Sequence, residues 1–178
     1  MTTTHPPNQK LSAVLENAPV VELTDREYRI AEHIAAARAL SYKHTTVGET
    51  FGDLDDIEAH VTGVIGEMTV CKIARAELDD KIYVRGDPGH DLCLAGKRAD
   101  VKATATNMSL PELLVPADQH PDAELYILAH RIDDKRIRLR GWVGHDTLTD
   151  REPERHPTPD SKRNFVVRPH ELRPIPVE

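Results

Sequence analysis

At 178 residues the chain is long enough to bury one substantial core and too short for two comfortable domains. A hydrophobic fraction of 39% and a charged fraction of 30% fit a globular fold and exclude a collagen-like or low-complexity chain. A formal net charge of −7 argues against a protein that coats nucleic acid with its whole surface, but not against one that grips it in a local basic cleft.

Residues 1–19 read as a loose polar arm, with prolines at 6, 7 and 19. Its start, "MTTTHPPNQK", lacks the basic-then-apolar order of a secretory signal, and no run reaches the roughly 20 apolar residues of a membrane span. A cytoplasmic protein with no membrane partner is therefore expected. Cys71 and Cys93 are too few for a disulfide framework or a four-ligand zinc site and suit a reducing interior. Residues 20–178 are expected to form one unit. "TDREYRIAEHIAAARAL" predicts a helix, with Thr24 and Glu27 at capping-box spacing and Tyr28, Ile30, Ile34, Ala37 and Leu40 as its buried stripe. After a polar loop, residues 57–78 predict a second helix with Val61, Val64, Ile65, Met68 and Cys71 on its apolar face. Gly63 and Gly66 weaken it by about 1 kcal/mol each relative to Ala and would let another backbone come close.

Three strand-like segments follow, "KIYVR", "DLCLA" and "ADVKATAT", separated by the turn compositions "GDPGH" and "GKR" and read most simply as an antiparallel meander. A loop with prolines at 111, 116 and 121 comes next, then a hairpin of "AELYILAHRI" and "KRIRLRGWV" across "DDK". "GHDTL" predicts a short helical turn, residues 150–163 a polar loop, and "NFVVRPHELRPI" a closing strand and turn. The order predicts an α/β (α+β) fold, a central mixed β-sheet flanked by helices. There is no Gly-rich phosphate loop and no dinucleotide fingerprint.

The least ordinary stretch is "GHDLCLAGKRADVKAT". Side chains two apart on a strand share a face, so Asp100 and Lys102 point together and Val101 and Ala103 oppose them. A hairpin turn brings Asp91 to the neighbouring strand. Two carboxylates there repel unless a proton or cation intervenes. A hard divalent ion, Mg²⁺ or Mn²⁺, takes oxygen ligands, for which Asp91, Asp100 and the Val101 carbonyl are suitable. Lys102 is suited to hold an attacking water and to stabilise charge on a phosphate. Glu67 lies beside the apolar stripe of the second helix, a costly place for an unpaired carboxylate that a metal, its water or Lys102 could compensate.

Glu67 on a helix, then Asp91, then Asp100-Val101-Lys102 resembles the PD-(D/E)XK nuclease superfamily. Asp91 stands for the first acid of that signature, in "HDL" rather than after proline, and Asp100 to Lys102 for its (D/E)xK. The likeness is strongest over residues 60–106. A looser one, to small phage-like and Holliday-junction-resolvase-like members, runs through "YILAHRIDDKRIRLRGWV" to "NFVVRPHELRPI". The resemblance implies a restriction-endonuclease-like core and Mg²⁺-dependent hydrolysis of phosphodiester bonds, in DNA most often and in RNA as the alternative. A homodimer follows only by analogy with relatives.

Rival readings stay open. The acid–acid–lysine set also suits a solvent-facing hairpin with weak cross-strand ion pairs. The same fold could serve as a nucleic-acid-binding or assembly module without turnover, or as a small acidic structural protein. Lys43, Lys72, Thr104 and Thr106 are candidate nucleic-acid contacts, and Arg38, Lys97 and Arg98 further phosphate contacts, each against the plainer reading of a surface or strand residue. Tyr42 would line the substrate rim, and Gln119 and His120 would lie near the site. The ten histidines show no HExxH and no Cys–His cluster, and His90 is of interest only as the neighbour of Asp91.

Overall fold

The computed structural model describes residues 18–43, 54–76, 78, 90–119 and 122–176, without the side chains of 41–43, 54–56 and 119. The expected strand "KIYVR", His120 and nearly all of the N-terminal arm lie outside the described residues, as do the side chains of Tyr42, Lys43 and Gln119.

The fold is mixed α/β, built on a mixed five-stranded sheet. In chain order the elements are β1 (Val20–Glu22), α1 (Asp25–Lys43), α2 (Leu54–Ala74), β2 (Leu92–Leu94), β3 (Lys97–Thr104), β4 (Leu113–Pro116), β5 (Leu125–Arg131), β6 (Arg136–Gly144), α3 (His145–Thr149), β7 (Glu154–Arg155) and β8 (Arg163–Val167). The sheet order is β1-β6-β5-β3-β2, and a second sheet has the order β4-β8-β7. Among the described residues no helix is long and apolar enough to cross a membrane.

The predicted capping box begins α1: the Thr24 amide donates to Glu27 Oε2 at 2.7 Å and the Glu27 amide to Thr24 Oγ1 at 3.2 Å. The buried face of α1 matches the expected stripe only in part, since Tyr28 and Ile34 pack against the core. Ala31 and Ala35 are fully buried, whereas Ile30 and Leu40 are 40% and 58% exposed. The helix is turned by about one residue from the apolar stripe, so its small side chains meet α2. In α2 the expected face holds: Val61, Val64, Ile65 and Cys71 are buried and Met68 packs at their margin. Only one of its glycines serves close approach. A Cβ on Gly66 would sit 2.9 Å from Ala103 Cβ and 3.2 Å from Ala129 Cβ, whereas Gly63 faces open space.

β2 and β3 form the expected hairpin, and β5 and β6 the next one. The two-residue turn Ala95–Gly96 carries φ of +49° and +79°, the left-handed pair that matches strand twist in a tight hairpin. The simple meander ends there, because β3 runs parallel to β5, with Asp100 opposite Tyr126, Lys102 opposite Leu128 and Thr104 opposite His130. The connection is long enough to cross over because it carries β4, in what the prolines suggested was a loop, and β4 pairs instead with β8. The polar segment 150–163 likewise contributes β7 to the second sheet.

β5 is covered on both faces. Ile127 and Ala129 join Val101, Ile137 and Leu139 beneath the helices, while Tyr126 and Leu128 join Leu113, Val115, Val143 and Val167 beneath the second sheet. On β3 the helix side is taken by Ala99, Val101 and Ala103, which leaves Asp100, Lys102 and Thr104 on the opposite side.

Candidate functional site

Asp100 and Lys102 stand side by side on β3, with Lys102 Nζ 2.8 Å from Asp100 Oδ2 and both side chains mostly buried. Asp91 lies just before β2. Its amide donates to the Ala99 carbonyl at 2.9 Å, and its Oδ2 accepts the Val101 amide at 2.6 Å. The carboxylate thus satisfies an amide just beyond the end of β2, at the sheet edge. A strand residue directs its N–H and C=O to the same neighbour, so the Val101 carbonyl points to this edge too.

Glu67 is buried on α2 and gripped by Arg38 of α1, Nη1 to Oε1 at 2.8 Å and Nη2 to Oε2 at 3.0 Å. This bidentate pair balances the carboxylate that the sequence leaves on an apolar helix side. It also commits the Arg38 guanidinium to α2 rather than to a phosphate. One turn on, burial and then the charges of Glu67 and Asp91 push the Cys71 thiol up to about 11, so it is protonated and inert near neutrality. Cys71 is thus within electrostatic reach of both acids, on the helix side of β3.

The acids are therefore divided by the strand. α2 packs on the side of Val101 and Ala103, Asp91 lies at the edge, and Asp100 with Lys102 lies on the far side. Among the described residues no group of three or more His, Cys, Asp or Glu side chains is gathered to hold a metal.

The expected nucleic-acid contacts divide as well. The Lys72 ammonium is held by Glu27 Oε1 and Oε2 at 3.0 and 2.9 Å and by the Glu22 carbonyl at 3.2 Å, enough acceptors for its three hydrogens. Its task is to fasten α2 to the start of α1. Thr104 lies beside His130 on the far side of β3. Thr106 turns its hydroxyl to the Met108 amide. Arg98 pairs with Asp122 at 3.1 Å and Lys97 is exposed at the hairpin end. His90 keeps its Nδ1 buried without a hydrogen-bond partner.

A buried polar cluster escaped the sequence reading. His130 Nε2 lies 2.9 Å from the Thr106 carbonyl, and Nδ1 takes Arg140 Nε at 3.2 Å and Nη2 at 2.8 Å. A carbonyl only accepts and a guanidinium only donates, so the ring is neutral with its proton on Nε2. Burial, with Arg140 and Arg138 adding repulsion, holds its pKa below the usual value. Arg140 also donates to the Ser109 carbonyl, which ties the β3–β4 connection to the sheet. The available signal was the alternation Arg136, Arg138, Arg140 around Ile137 and Leu139.

Beside Asp100, Tyr126 is fully buried and its hydroxyl has no hydrogen-bond partner. Burial, then Asp100, pushes its pKa up to about 12.

No family model, curated protein or solved structure matches this chain.

Proposed function

We propose that the chain is a metal-dependent nuclease with a restriction-endonuclease-like core that hydrolyses phosphodiester bonds in DNA. The observation that carries this reading is the Asp100–Lys102 pair on β3, with the Asp91 carboxylate on the amide of the intervening Val101. The donor set suits a hard divalent ion: two carboxylates and a strand-edge carbonyl, all oxygen. Asp91, Asp100 and the Val101 carbonyl would hold Mg²⁺ or Mn²⁺, while Glu67, on the helix side of β3 and held by Arg38, would stay outside this ligand set. Bound there, the ion would lower the pKa of its water and neutralise charge on the scissile phosphate.

The chain's own groups supply the rest. The Lys102 ammonium now neutralises Asp100 at 2.8 Å, where a divalent ion would replace it. Released from Asp100, Lys102 would orient the attacking water and stabilise charge on the phosphoryl oxygens. Arg38 keeps Glu67 paired across the two helices, away from this pair of acids.

One observation favours a second reading, a nucleic-acid-binding or assembly module without turnover. Glu67 and Asp100 both have a cationic partner from within the chain, so neither requires a metal for charge balance. Labelled duplex, single-stranded, flap and junction DNA, with RNA equivalents, incubated with Mg²⁺ or Mn²⁺, separates the two. The nuclease reading expects cleavage that falls at least about 100-fold in Asp100→Ala and Lys102→Ala while both variants stay folded. Wild-type protein that binds but nicks none of these substrates would leave the binding module.

A further inference from the structure

β6 carries arginines at 136, 138 and 140, and the Ile137 and Leu139 between them are buried beneath the helices. The arginines therefore belong to the face turned away from α1 and α2. Each has a different surrounding. Arg136 is paired with Asp133 at 2.5 Å. Arg140 is buried and spent on His130 and the Ser109 carbonyl. Arg138 is half-buried, its Nε is fully buried, and it has no hydrogen bond or acid partner among the described residues.

A guanidinium that is partly desolvated and unpaired is expensive. In a chain of net charge −7 with acids available, its isolation beside two further arginines is the mark of a site whose counter-charge arrives from outside. The guanidinium fork matches a phosphate oxyanion.

Position names the kind of anion. Arg138 is in register with His130, and His130 with Thr104, so the three form a row across β6, β5 and β3. Lys102 lies two residues back along β3. With strands about 4.8 Å apart and a rise of about 3.3 Å per residue, the backbones of Lys102 and Arg138 are about 12 Å apart. At about 3.4 Å per phosphate along one strand, that is three to four nucleotides.

We infer that Arg138 is a phosphodiester-binding residue at the far end of a nucleic-acid track that begins at Lys102 and Thr104 and passes over the β3–β4 connection, which covers His130. The track rests on the nuclease reading for the place where cleavage would occur, but not for binding itself.

The test is fluorescence polarisation with fluorescein-labelled 20-nucleotide single-stranded and duplex DNA, in EDTA so that nothing is cut, from 50 to 300 mM NaCl. Arg138→Gln should weaken binding roughly five- to tenfold at the lowest salt and reduce the slope of log affinity on log salt by about 0.7 to 0.9, one phosphate contact. Arg138→Lys should keep the slope, and Arg136→Gln, whose charge is already neutralised, should change little. Arg138→Gln should also melt at or above the wild-type temperature, because it removes an unpaired charge.

Equal affinity and slope in wild type and Arg138→Gln would overturn the inference, as would wild-type protein that binds neither probe. Failure of Arg138→Gln to fold would give Arg138 a structural task and overturn it too. So would 10 mM inorganic phosphate raising the wild-type melting temperature as much as the oligonucleotide does, since a small anion would then be the ligand. Binding lost in Arg138→Gln, from a wild type that never cleaves, would sink the nuclease reading and leave the track standing.

Discussion

Arg38 and Glu67 join the two long helices through parallel hydrogen bonds of 2.8 and 3.0 Å, with the carboxylate almost wholly buried and the guanidinium about one-fifth exposed. Removal of one partner strands the other. Arg38→Ala should cost about 3 kcal/mol, because Glu67 must then be protonated or left charged against the apolar face of α2. Arg38→Met with Glu67→Leu should recover most of that loss, since an apolar pair of similar volume has no charge to desolvate. Urea unfolding of the three proteins reads the difference. A double variant as unstable as Arg38→Ala would mean that packing rather than charge is what matters here.

The two glycines of α2 give opposite expectations from the same substitution. Gly63→Ala meets nothing within 4 Å and gains helix propensity, so it should stabilise by about 0.5 to 1 kcal/mol. Gly66→Ala gains the same propensity, but its Cβ would sit 2.9 Å from Ala103 Cβ and 3.2 Å from Ala129 Cβ, atoms fixed to two strands of the sheet. α2 would have to lift from the sheet, at about 1 to 3 kcal/mol. Thermal melts of the two variants should move in opposite directions. An equal rise in both would show that α2 does not lie as close to β3 and β5 as its contact at Gly66 indicates.

Local patterns made much of this fold legible. The alternation of β3, β5 and β6, the capping box of α1 and the apolar face of α2 are short-range signals, and the elements formed where they pointed. What failed depended on distant partners. The rotation of α1 was decided by Ala31 and Ala35 fitting against α2 and by Arg38 reaching Glu67, neither visible from the hydrophobicity of α1 alone. The parallel pairing of β3 with β5 could not be read because β4 pairs with β8, some 50 residues further on. The candidate site shows the same divide. That Asp100 and Lys102 share a face follows from a period of two. That Asp91 spends an oxygen on the Val101 amide, and that Glu67 approaches from the other side of β3, depend on where β2 stops and where α2 packs.

The His130–Arg140 contact makes stability depend on pH in a calculable direction. Nδ1 must accept from the guanidinium, so a second proton on the ring would set one cation against Arg140 and Arg138. The folded-state pKa is therefore below the ordinary 6.5, and the unfolded chain takes up the proton first. Stability from this group is fully present above pH 6.5 and declines as pH falls below it, until the folded ring also protonates. Urea unfolding from pH 7.5 to 5.5, above the range in which ordinary carboxylates titrate, should show this decline. In His130→Gln it should largely vanish, since an amide does not titrate and its oxygen can still accept from Arg140. The loss at acid pH should concentrate in the β3–β4 connection, which Arg140 holds through Ser109 and His130 through Thr106. Hydrogen exchange of residues 105–112 should accelerate on acidification after correction for the intrinsic pH dependence of exchange. Exchange there that stays unchanged while the wild-type protein loses stability would move the responsible proton to another group.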